Sequence, residues 1–508
     1  MFCRQNLIAW LATTAWLIYL TPSPMYFALD ADGGFFITGG WLQRETGRLM
    51  QIDVLSSYGP LSFELRSWAQ QLVGDRPLAE VLVAVFGFGL AHTVFFVAVS
   101  CISGSIPMAA TLLGVALLCL PRYYKFFVVL VPAITCLAAW HYSGRPGRRS
   151  AIALGAAVGL AFAFRHDYGV YAAAVALTAL ALAPGSSRAR LQAMALAAAG
   201  ALTVLAPWLV QLVAQGAIWR HLEDLVTVSR SYNGGLGLPH PLLAPTWHAR
   251  TLVFALFYVV PAAATWVSWR RCSVLSPTER AQAAVVVVTG TVFLGQSLHR
   301  ADVGHLLQCS SAVLLTLALL WRLLEQPGAR RGLVVLMVAL ATGGLTSLAH
   351  SLRGPTAVGE AWRGAMLDRD SWRQQVAVQS PELGTVLRLL DCLPKQRTVA
   401  LYPFAPQLAY LAERRFAGDT LLIAPGYFES LTHQERMVDG LRRDVPVAVL
   451  WDENFAYDND PRRNTVRTHA LLHAYVSANL QLVGTVGRYS LYVDPSIVYE
   501  HVSTCWQL

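Results

Sequence analysis

The apolar residues of this chain fall in long runs separated by short polar segments. About 20 apolar residues cross the hydrocarbon core of a bilayer as a helix. Eleven runs have this length or approach it: 6–28, 78–102, 106–120, 126–141, 151–164, 168–184, 191–214, 251–269, 281–298, 304–322 and 332–350. The fourth to sixth runs are short or contain a proline such as Pro132, and we expect them inside the bundle, where broken helices are tolerated. The pattern predicts a polytopic α-helical membrane protein with about 11 transmembrane helices.

After residue 350 the pattern changes to the strand–helix alternation of a small α/β domain. Strands are predicted at 398–402, 445–451, 481–486 and 490–493, and helices at 405–413 and 464–479. Residues 351–380, which include Trp362 and Trp372, are predicted to lead out of the bilayer as an interfacial helix. The chain therefore divides into a transmembrane domain, 1–350, and a soluble α/β domain, 351–508.

Composition and charge agree with a membrane protein. Of the 508 residues, 55% are apolar and 14% are charged, whereas about a quarter are charged in soluble proteins. The net charge of +9 is uneven, since residues 1–350 hold 23 basic and 13 acidic side chains and residues 351–508 hold 16 and 17. The positive excess lies in short loops between apolar runs, which indicates cytoplasmic loops and argues against nucleic-acid binding.

The basic loops also predict the orientation. Arginine pairs and triplets lie in the loops near 145–149, 188–190, 270–280 and 322–331, and an N-terminus in the cytoplasm puts all four on the cytoplasmic side. The first outer loop, 29–77, segment 215–250 and the C-terminal domain then lie outside a plasma membrane, the inner membrane of a bacterium. A cleaved signal peptide at 6–28 is the alternative, but no small-residue cleavage site precedes Asp30.

Carboxylates open the first outer loop. Asp30 and Asp32 follow the first apolar run directly, and Asp53 and Tyr58 lie further along the same loop. Asp32 is explained by a cap on the helix expected at 35–45. Asp30 has no such structural role, so we expect at least one of the two acids to be functional.

Three further clusters of ionisable residues interrupt the apolar pattern on the predicted outer side. The clusters are Arg122 and Lys125; Arg165, His166 and Asp167; and Arg300, Asp302 and His305. Each cluster also has a purely structural interpretation. The first would be an aromatic belt with snorkelling cations, the second an internally paired Arg–Asp joint in a broken helix, and the third a solvated loop. The functional reading is a phosphate site, because arginine binds oxyanions bidentately and charged residues in a membrane need a reason to be kept.

Taken in order, these motifs resemble those of integral-membrane glycosyltransferases of the GT-C class that use polyprenyl-phosphate sugars. The motifs are Asp30-Ala-Asp32, then Gly47…Asp53…Tyr58-Gly59-Pro60-Leu61, Arg122-Tyr-Tyr-Lys125, Phe164-Arg-His-Asp-Tyr-Gly169 and Arg300-Ala-Asp302-x-x-His305. The resemblance covers residues 1–350 and implies that this domain is catalytic. It implies an inverting transfer with Asp30 or Asp32 as the base and the carrier phosphate bound by Arg122, Lys125, Arg165 and Arg300. The other site residues would be Asp53, Tyr58, His166, Asp167, Asp302 and His305.

The implied partners are a polyprenyl-phosphate-linked sugar donor, membrane lipid, and a glycan, lipid or protein acceptor. The resemblance implies no metal, although the spacing of Asp30 and Asp32 would also suit a divalent cation. Cys392 and Cys505 are the two thiols predicted on the oxidising side, and we expect a disulfide between them, with two free thiols as the alternative. The alternative functions are a lipid or solute transporter or flippase, an oligosaccharide ligase or polymerase, and a structural assembly subunit.

Overall fold

A computed structural model describes residues 2–20, 31–56, 58–119, 122, 124–243, 249–349 and 355–496 of the chain. Up to residue 349 these residues are helical for most of their length. The helices are α1 (Phe2–Tyr19), α2 (Ala31–Thr46), α3 (Leu61–Val73), α4 (Pro77–Ser103), α5 (Ile106–Leu118), α6 (Phe127–Gly144), α7 (Arg148–Phe164), α8 (His166–Leu182), α9 (Ser187–Ala214), α10 (Ile218–Leu236), α11 (Ala249–Arg270), α12 (Pro277–Leu294), α13 (Gln296–His299), α14 (Val303–Gln308), α15 (Ser310–Leu323) and α16 (Pro327–Ala349).

A helix is present at each of the eleven predicted apolar runs. The run at 304–322 differs from the expectation, because it is divided at Cys309 into α14 and α15. Among the described residues, four helices are long and apolar enough to cross a membrane: Pro77–Ser103, Phe127–Gly144, Ser187–Ala214 and Pro277–Leu298. Ile106–Leu118 and Ser310–Leu323 are shorter apolar helices. The number of eleven crossings stays a prediction.

Burial separates the candidate spans into inner and outer helices. The apolar window of α6, which contains Pro132, is 72% buried within the protein, whereas that of α9 is 17% buried. A helix that exposes so many apolar side chains needs an apolar solvent around it. The expectation that the proline-containing fourth run lies inside the bundle is confirmed by this contrast.

Helices α7 and α9 approach each other through glycines. A Cβ atom placed on Gly155 would lie 1.8 Å from the carbonyl oxygen of Ala197, and one on Gly200 would lie 2.3 Å from the carbonyl oxygen of Ile152. Small residues of this kind let the backbones of membrane helices come into direct contact. Glycine is therefore required at both positions by packing.

The chain folds into two compact units. The first unit comprises Met1–Thr21, Ala84–Val210 and Leu238–Val358, and the second comprises Pro22–Val83, Gln211–Gly237 and Gly359–Leu508. The second unit thus contains most of the predicted first outer loop, part of segment 215–250 and nearly all of the predicted C-terminal domain. All three were predicted to lie on the same side of the membrane from the distribution of basic residues alone.

The C-terminal part of the chain carries the sheet. Its helices are α17 (Pro355–Ala365), α18 (Arg369–Gln379), α19 (Pro381–Cys392), α20 (Pro406–Leu411), α21 (Leu431–Arg443), α22 (Thr465–Thr468) and α23 (Ala470–Asn479), and its strands are β1 (Val399–Tyr402), β2 (Ala448–Trp451), β3 (Gln481–Val486) and β4 (Tyr489–Val493). The strand order is β1-β2-β4-β3, with β1 and β2 parallel and the other pairs antiparallel. The four strands are those that the sequence predicts.

The helices of this part differ from the prediction in several respects. Helices α19 and α21 were not predicted, and the helix expected at 464–479 is divided at His469 into α22 and α23. Residues 355–379 form two helices rather than one. Trp372 is fully buried, so it belongs to the core of the second unit and does not anchor an interfacial helix.

The first outer loop forms part of the core of the second unit. Helix α2 packs against α3 and against α20, and the rings of Trp41 and Tyr410 meet edge to face with centroids 5.8 Å apart. Arg66 and Glu80 form a buried ion pair of 3.0 Å. A Cβ atom on Gly34 would lie 2.5 Å from Oε1 of Gln407. This close approach fixes the start of α2, which also carries Asp32, against the C-terminal part of the chain.

Candidate active site

Asp32 lies in the first turn of α2 and is partly buried. The helix begins at Ala31, four residues earlier than the sequence predicted, so Asp32 is part of the helix and does not cap it from outside. A carboxylate in the first turn is stabilised by the positive end of the helix dipole. Asp30 lies outside the described residues, and its predicted role, like that of Asp32, stays a prediction.

Asp53 and Tyr58 have structural contacts within the second unit. The carboxylate of Asp53 accepts a hydrogen bond of 2.8 Å from the backbone N–H of Leu49 and so closes a turn. The ring of Tyr58 is buried, with centroids 6.2 Å from Phe35 and 4.7 Å from Phe36. These contacts account for both residues as parts of the core, and their place in the active site stays a prediction.

Arg165 lies at a break between two helices of the first unit. It is extended, with φ of −163° and ψ of 131°, and separates α7 from α8. Its Nε lies 2.8 Å from Oδ1 of Asp167, and its guanidinium lies 5.2 Å from the ring centroid of Tyr168. The neighbouring His166 is buried, with its ring 5.9 Å from that of Trp208. The structure therefore contains the paired Arg–Asp joint in a broken helix. This was the structural interpretation that the sequence offered for this cluster.

A second break in the first unit carries Arg300, Asp302 and His305. Asp302 caps α14 by accepting the backbone N–H of His305 at 2.8 Å. Its Oδ2 atom also lies 2.8 Å from Nε of Arg300 and 2.9 Å from Nδ1 of His305. Asp302 and His305 were expected to share a helix face if the helix began at Asp302. The helix begins at Val303 instead, and Asp302 contacts His305 as the N-cap.

The electrostatics of this cluster favour an ionised Asp302. Burial by itself raises the pKa of the Asp302 carboxyl, but the hydrogen bonds from His305 and the charges of His305 and Arg300 outweigh burial. The pKa of Asp302 is consequently well below its usual range. An ionised Asp302 orients the guanidinium of Arg300, a group that binds phosphate bidentately.

A chain of buried polar side chains connects the two breaks. The hydroxyl of Tyr168 on α8 donates to Oε1 of Gln296 on α13, and Nε2 of Gln296 donates to Oε1 of Gln308 on α14 at 3.1 Å. The structure thus brings together two clusters that are separated by more than a hundred residues in the sequence.

The Arg122–Lys125 segment adds cations to this part of the first unit. Nη1 of Arg122, which is exposed, donates a 2.9 Å hydrogen bond to the hydroxyl of Tyr124. Lys125 is buried, with Nζ 5.4 Å from the centroid of the Tyr124 ring. That Arg122, Lys125, Arg165 and Arg300 line one cavity stays a prediction.

Sequence reasoning missed the polar residues that connect the clusters. Gln296, Gln308 and Tyr258 do not belong to any of the predicted clusters. The hydroxyl of Tyr258 lies 2.9 Å from Oγ of Ser297 and 3.1 Å from Nε2 of His240. These residues could have been noticed because they place amides and a tyrosine hydroxyl in otherwise apolar runs. A polar side chain in such a run needs a hydrogen-bond partner.

The second unit contains a separate network of ion pairs around Asp224 and Asp419. Asp419 lies 2.7 Å from Arg443 and 3.4 Å from Arg48, and Asp224 lies 2.8 Å from Arg436. The network surrounds a cavity of about 340 Å³ whose charged lining residues are Arg48, Asp53, Arg220, Asp419, Arg436, Arg443 and Asp444. Acids and arginines are present there in nearly equal numbers. We therefore interpret the network as one that stabilises the fold of the second unit.

The structure leaves two further predictions untested. Cys505 lies outside the described residues, so the disulfide from Cys392 stays a prediction. Within the described part of the chain, no group of three or more histidine, cysteine, aspartate or glutamate side chains is placed to hold a metal ion. That finding does not bear on a cation at Asp30 and Asp32, since Asp30 is not among those residues.

No protein-family model matches the chain, and none of the curated proteins compared with it matches. Solved structures do match. ArnT from Cupriavidus metallidurans in the apo state is 12% identical, with a TM-score of 0.51, over 97% of this chain and 98% of that chain. The same protein bound to undecaprenyl phosphate is 14% identical, with a TM-score of 0.52, over 97% of each chain. The resemblance that the motifs indicated is confirmed at the level of the fold: over nearly its whole length, this chain has the fold of ArnT, a GT-C glycosyltransferase.

Proposed function

We propose that the protein is a membrane glycosyltransferase that moves a sugar from a polyprenyl-phosphate donor to a glycan, lipid or protein acceptor on the outer side of the membrane. The observation that supports the proposal is a chain of buried hydrogen bonds, through Tyr168, Gln296 and Gln308, between two helix breaks of the first unit that carry charged residues. One break carries Arg165 and Asp167, and the other carries Arg300, Asp302 and His305. Such a set is costly to keep among apolar helices unless it is used. The ArnT fold supports the same reaction class, since one of the ArnT structures is bound to undecaprenyl phosphate.

In this proposal the cations bind the carrier phosphate. Arg165 and Arg300 are each oriented by a carboxylate 2.8 Å away, on Asp167 and Asp302. Preoriented cations stabilise the negative charge that develops on the leaving phosphate, and they act more strongly where water is excluded. Arg122 and Lys125 add to the same positive field.

The first outer loop supplies the base. Asp30 or Asp32 removes the proton from an acceptor hydroxyl, and the acceptor oxygen forms a bond with the anomeric carbon as the bond from that carbon to the phosphate oxygen breaks. The polyprenyl phosphate leaves with the bonding electron pair, and the proton remains on the aspartate. One displacement inverts the anomeric centre. The proposal includes an outer location for the second unit, where its C-terminal part would bind the acceptor.

Incubation of the purified protein in proteoliposomes with a panel of polyprenyl-phosphate sugars and membrane acceptors tests the proposal. Release of polyprenyl phosphate together with a glycosylated acceptor is the expected result, and chelation of divalent cations in a parallel sample decides whether a metal at Asp30 and Asp32 takes part. Movement of a lipid across the membrane without a glycosylated product would support the transporter alternative instead. Transfer of a whole oligosaccharide would identify a ligase or polymerase.

A further inference from the structure

Helix α10 of the second unit has two dissimilar faces. On one face Asp224 pairs with Arg436 at 2.8 Å, and Oγ of Ser231 donates to the carbonyl oxygen of Gly426 at 2.9 Å. These bonds attach the helix to the C-terminal part of the chain. The other face is exposed and carries a stripe of apolar side chains, with the charged residues Glu223 and Arg230 along one edge of the stripe.

Three apolar side chains of α10 are open to solvent. Trp219, Leu222 and Val226 are 79%, 46% and 49% exposed, and their spacing of three and four residues places them on one side of the helix. A helix with such a stripe normally buries it against another apolar surface. None of the described residues covers this stripe, which is therefore open to a partner.

The position of α10 along the chain identifies that partner. The helix begins at Ile218, and α9 ends at Ala214. The α9 helix is a candidate span that is only 17% buried, and Val213 near its end is 64% exposed. Three connecting residues reach about 10 Å at most, so α10 starts within or next to the head-group layer of the bilayer.

An independent feature of the second unit repeats this arrangement. On α3, Trp68 and Leu72 are 50% and 84% exposed and lie four residues apart on one face. They precede Pro77, at which the candidate span α4 begins. Tryptophan is enriched where membrane proteins meet the head groups. Exposed Val378, in contrast, stands alone in sequence far from any candidate span, as scattered surface residues do.

We infer that α10 is an interfacial helix whose Trp219, Leu222 and Val226 insert into the lipid head-group layer, with the exposed face of α3 as a second contact. The bilayer, and not a partner protein, is the occupant, because both faces adjoin the end of a candidate span. The contact holds the second unit, including Asp32 on α2, at the lipid surface. The inference does not depend on which reaction the protein catalyses.

Spin labelling of the full-length protein tests the inference. A nitroxide is attached to Val226→Cys in a Cys272→Ser background, since Cys272 is an exposed native thiol, and the protein is placed in nanodiscs of phosphatidylethanolamine and phosphatidylglycerol. Oxygen concentrates in lipid, whereas a water-soluble nickel chelate does not. The accessibility of the nitroxide to each reagent therefore distinguishes a lipid from a water environment. The matched control is Arg462→Cys, at a side chain of the same unit that is 87% exposed.

We expect the ratio of oxygen to nickel accessibility at residue 226 to exceed that at residue 462 several-fold. Equal ratios at the two positions would place α10 in water and overturn the inference. Exclusion of both reagents at residue 226 would also overturn it, because it would mean that a protein covers the stripe. A label at Leu222→Cys repeats the measurement on the same face, so that local disturbance at a single position does not decide the outcome.

Discussion

Arginine–carboxylate pairs at the helix breaks of the first unit differ from those in the core of the second unit. At the breaks the partners are two residues apart, Arg165 with Asp167 and Arg300 with Asp302. In the core of the second unit the fully buried pair joins two different helices, Arg66 with Glu80, and the half-buried pair of Arg48 with Asp419 joins segments that are distant in the chain. Pairs between distant segments hold the fold together. A pair formed within three residues joins no distant segments, so its presence among apolar helices needs another reason. The phosphate binding that we propose supplies one.

The first outer loop gives the sharpest test of this division of roles. Asp30→Asn or Asp32→Asn should abolish transfer while the protein still folds, because loss of a general base costs about 10²- to 10⁴-fold in rate. Turnover of a radiolabelled donor measures the effect, with Asp439→Asn, at an exposed acid of the second unit, as the control. Near-wild-type turnover in both single variants would show that the proposed base is wrong.

A pair that holds the fold should affect stability and not chemistry. The side chains of Arg66 and Glu80 are 1% and 2% exposed, and Glu80→Gln leaves a buried guanidinium without its counter-charge, which costs about 3–5 kcal/mol in the free energy of unfolding. Denaturant unfolding in detergent measures it. The exposed pair Arg442–Asp439 provides the control, since breaking it costs about 0–1 kcal/mol. A Glu80→Gln protein of unchanged stability would contradict the structural role.

Removing a cation at a helix break should weaken donor binding. Arg165→Ala and Arg300→Ala each remove a charge-assisted hydrogen bond to the phosphate, which costs about 1.5–3 kcal/mol or roughly ten- to a hundredfold in Kd for polyprenyl phosphate. Isothermal titration gives the Kd. Arg271→Ala, at a partly exposed arginine of the first unit that pairs with Glu325, is the matched control. If both variants bind the lipid phosphate like the control, the phosphate site lies elsewhere.

The smallest expected effect concerns acid stability of the second unit. Burial alone raises the pKa of Asp224, but its bonds with His433 and Arg436 lower it below the ordinary value. A carboxyl whose pKa is lowered by folding contributes stability above the pKa of the unfolded chain, about 4, and loses it as the pH falls through the folded value. The melting temperature should therefore fall from pH 4 to pH 3, and by less in Asp224→Asn. Equal losses in the two proteins would remove Asp224 from the network.

Much of the fold was predictable because it depends on local pattern. Each apolar run contains a helix. The four strands of the sheet lie at the positions that the alternation of strand and helix patterns predicted. The missed helix Leu431–Arg443 is polar and was not marked by a long apolar run. The break at Cys309 was missed because apolar residues lie on both sides of it, and no side chain caps the helix that follows.

The candidate site was predictable in part. Ionisable residues in an apolar sequence are conspicuous, so Arg165, Asp167, Arg300, Asp302 and His305 could be named in advance. Their connection could not, since the hydrogen bonds from Tyr168 to Gln296 and from Gln296 to Gln308 join residues that are far apart in the chain. Amides carry no charge and resemble ordinary polar residues in sequence, so nothing local marked these two as partners.

The sequence by itself determined the membrane character, the positions of the helices and the residue types that are available for phosphate chemistry. These properties follow from hydropathy and charge, which each short segment carries on its own. Only the tertiary structure decided that residues 22–83, 211–237 and 359–508 form one unit, and that the hydroxyl of Tyr168 bonds to the amide of Gln296. Such groupings depend on packing between segments distant in the chain, because close packing and the pairing of buried polar groups select one arrangement among the many that local pattern allows.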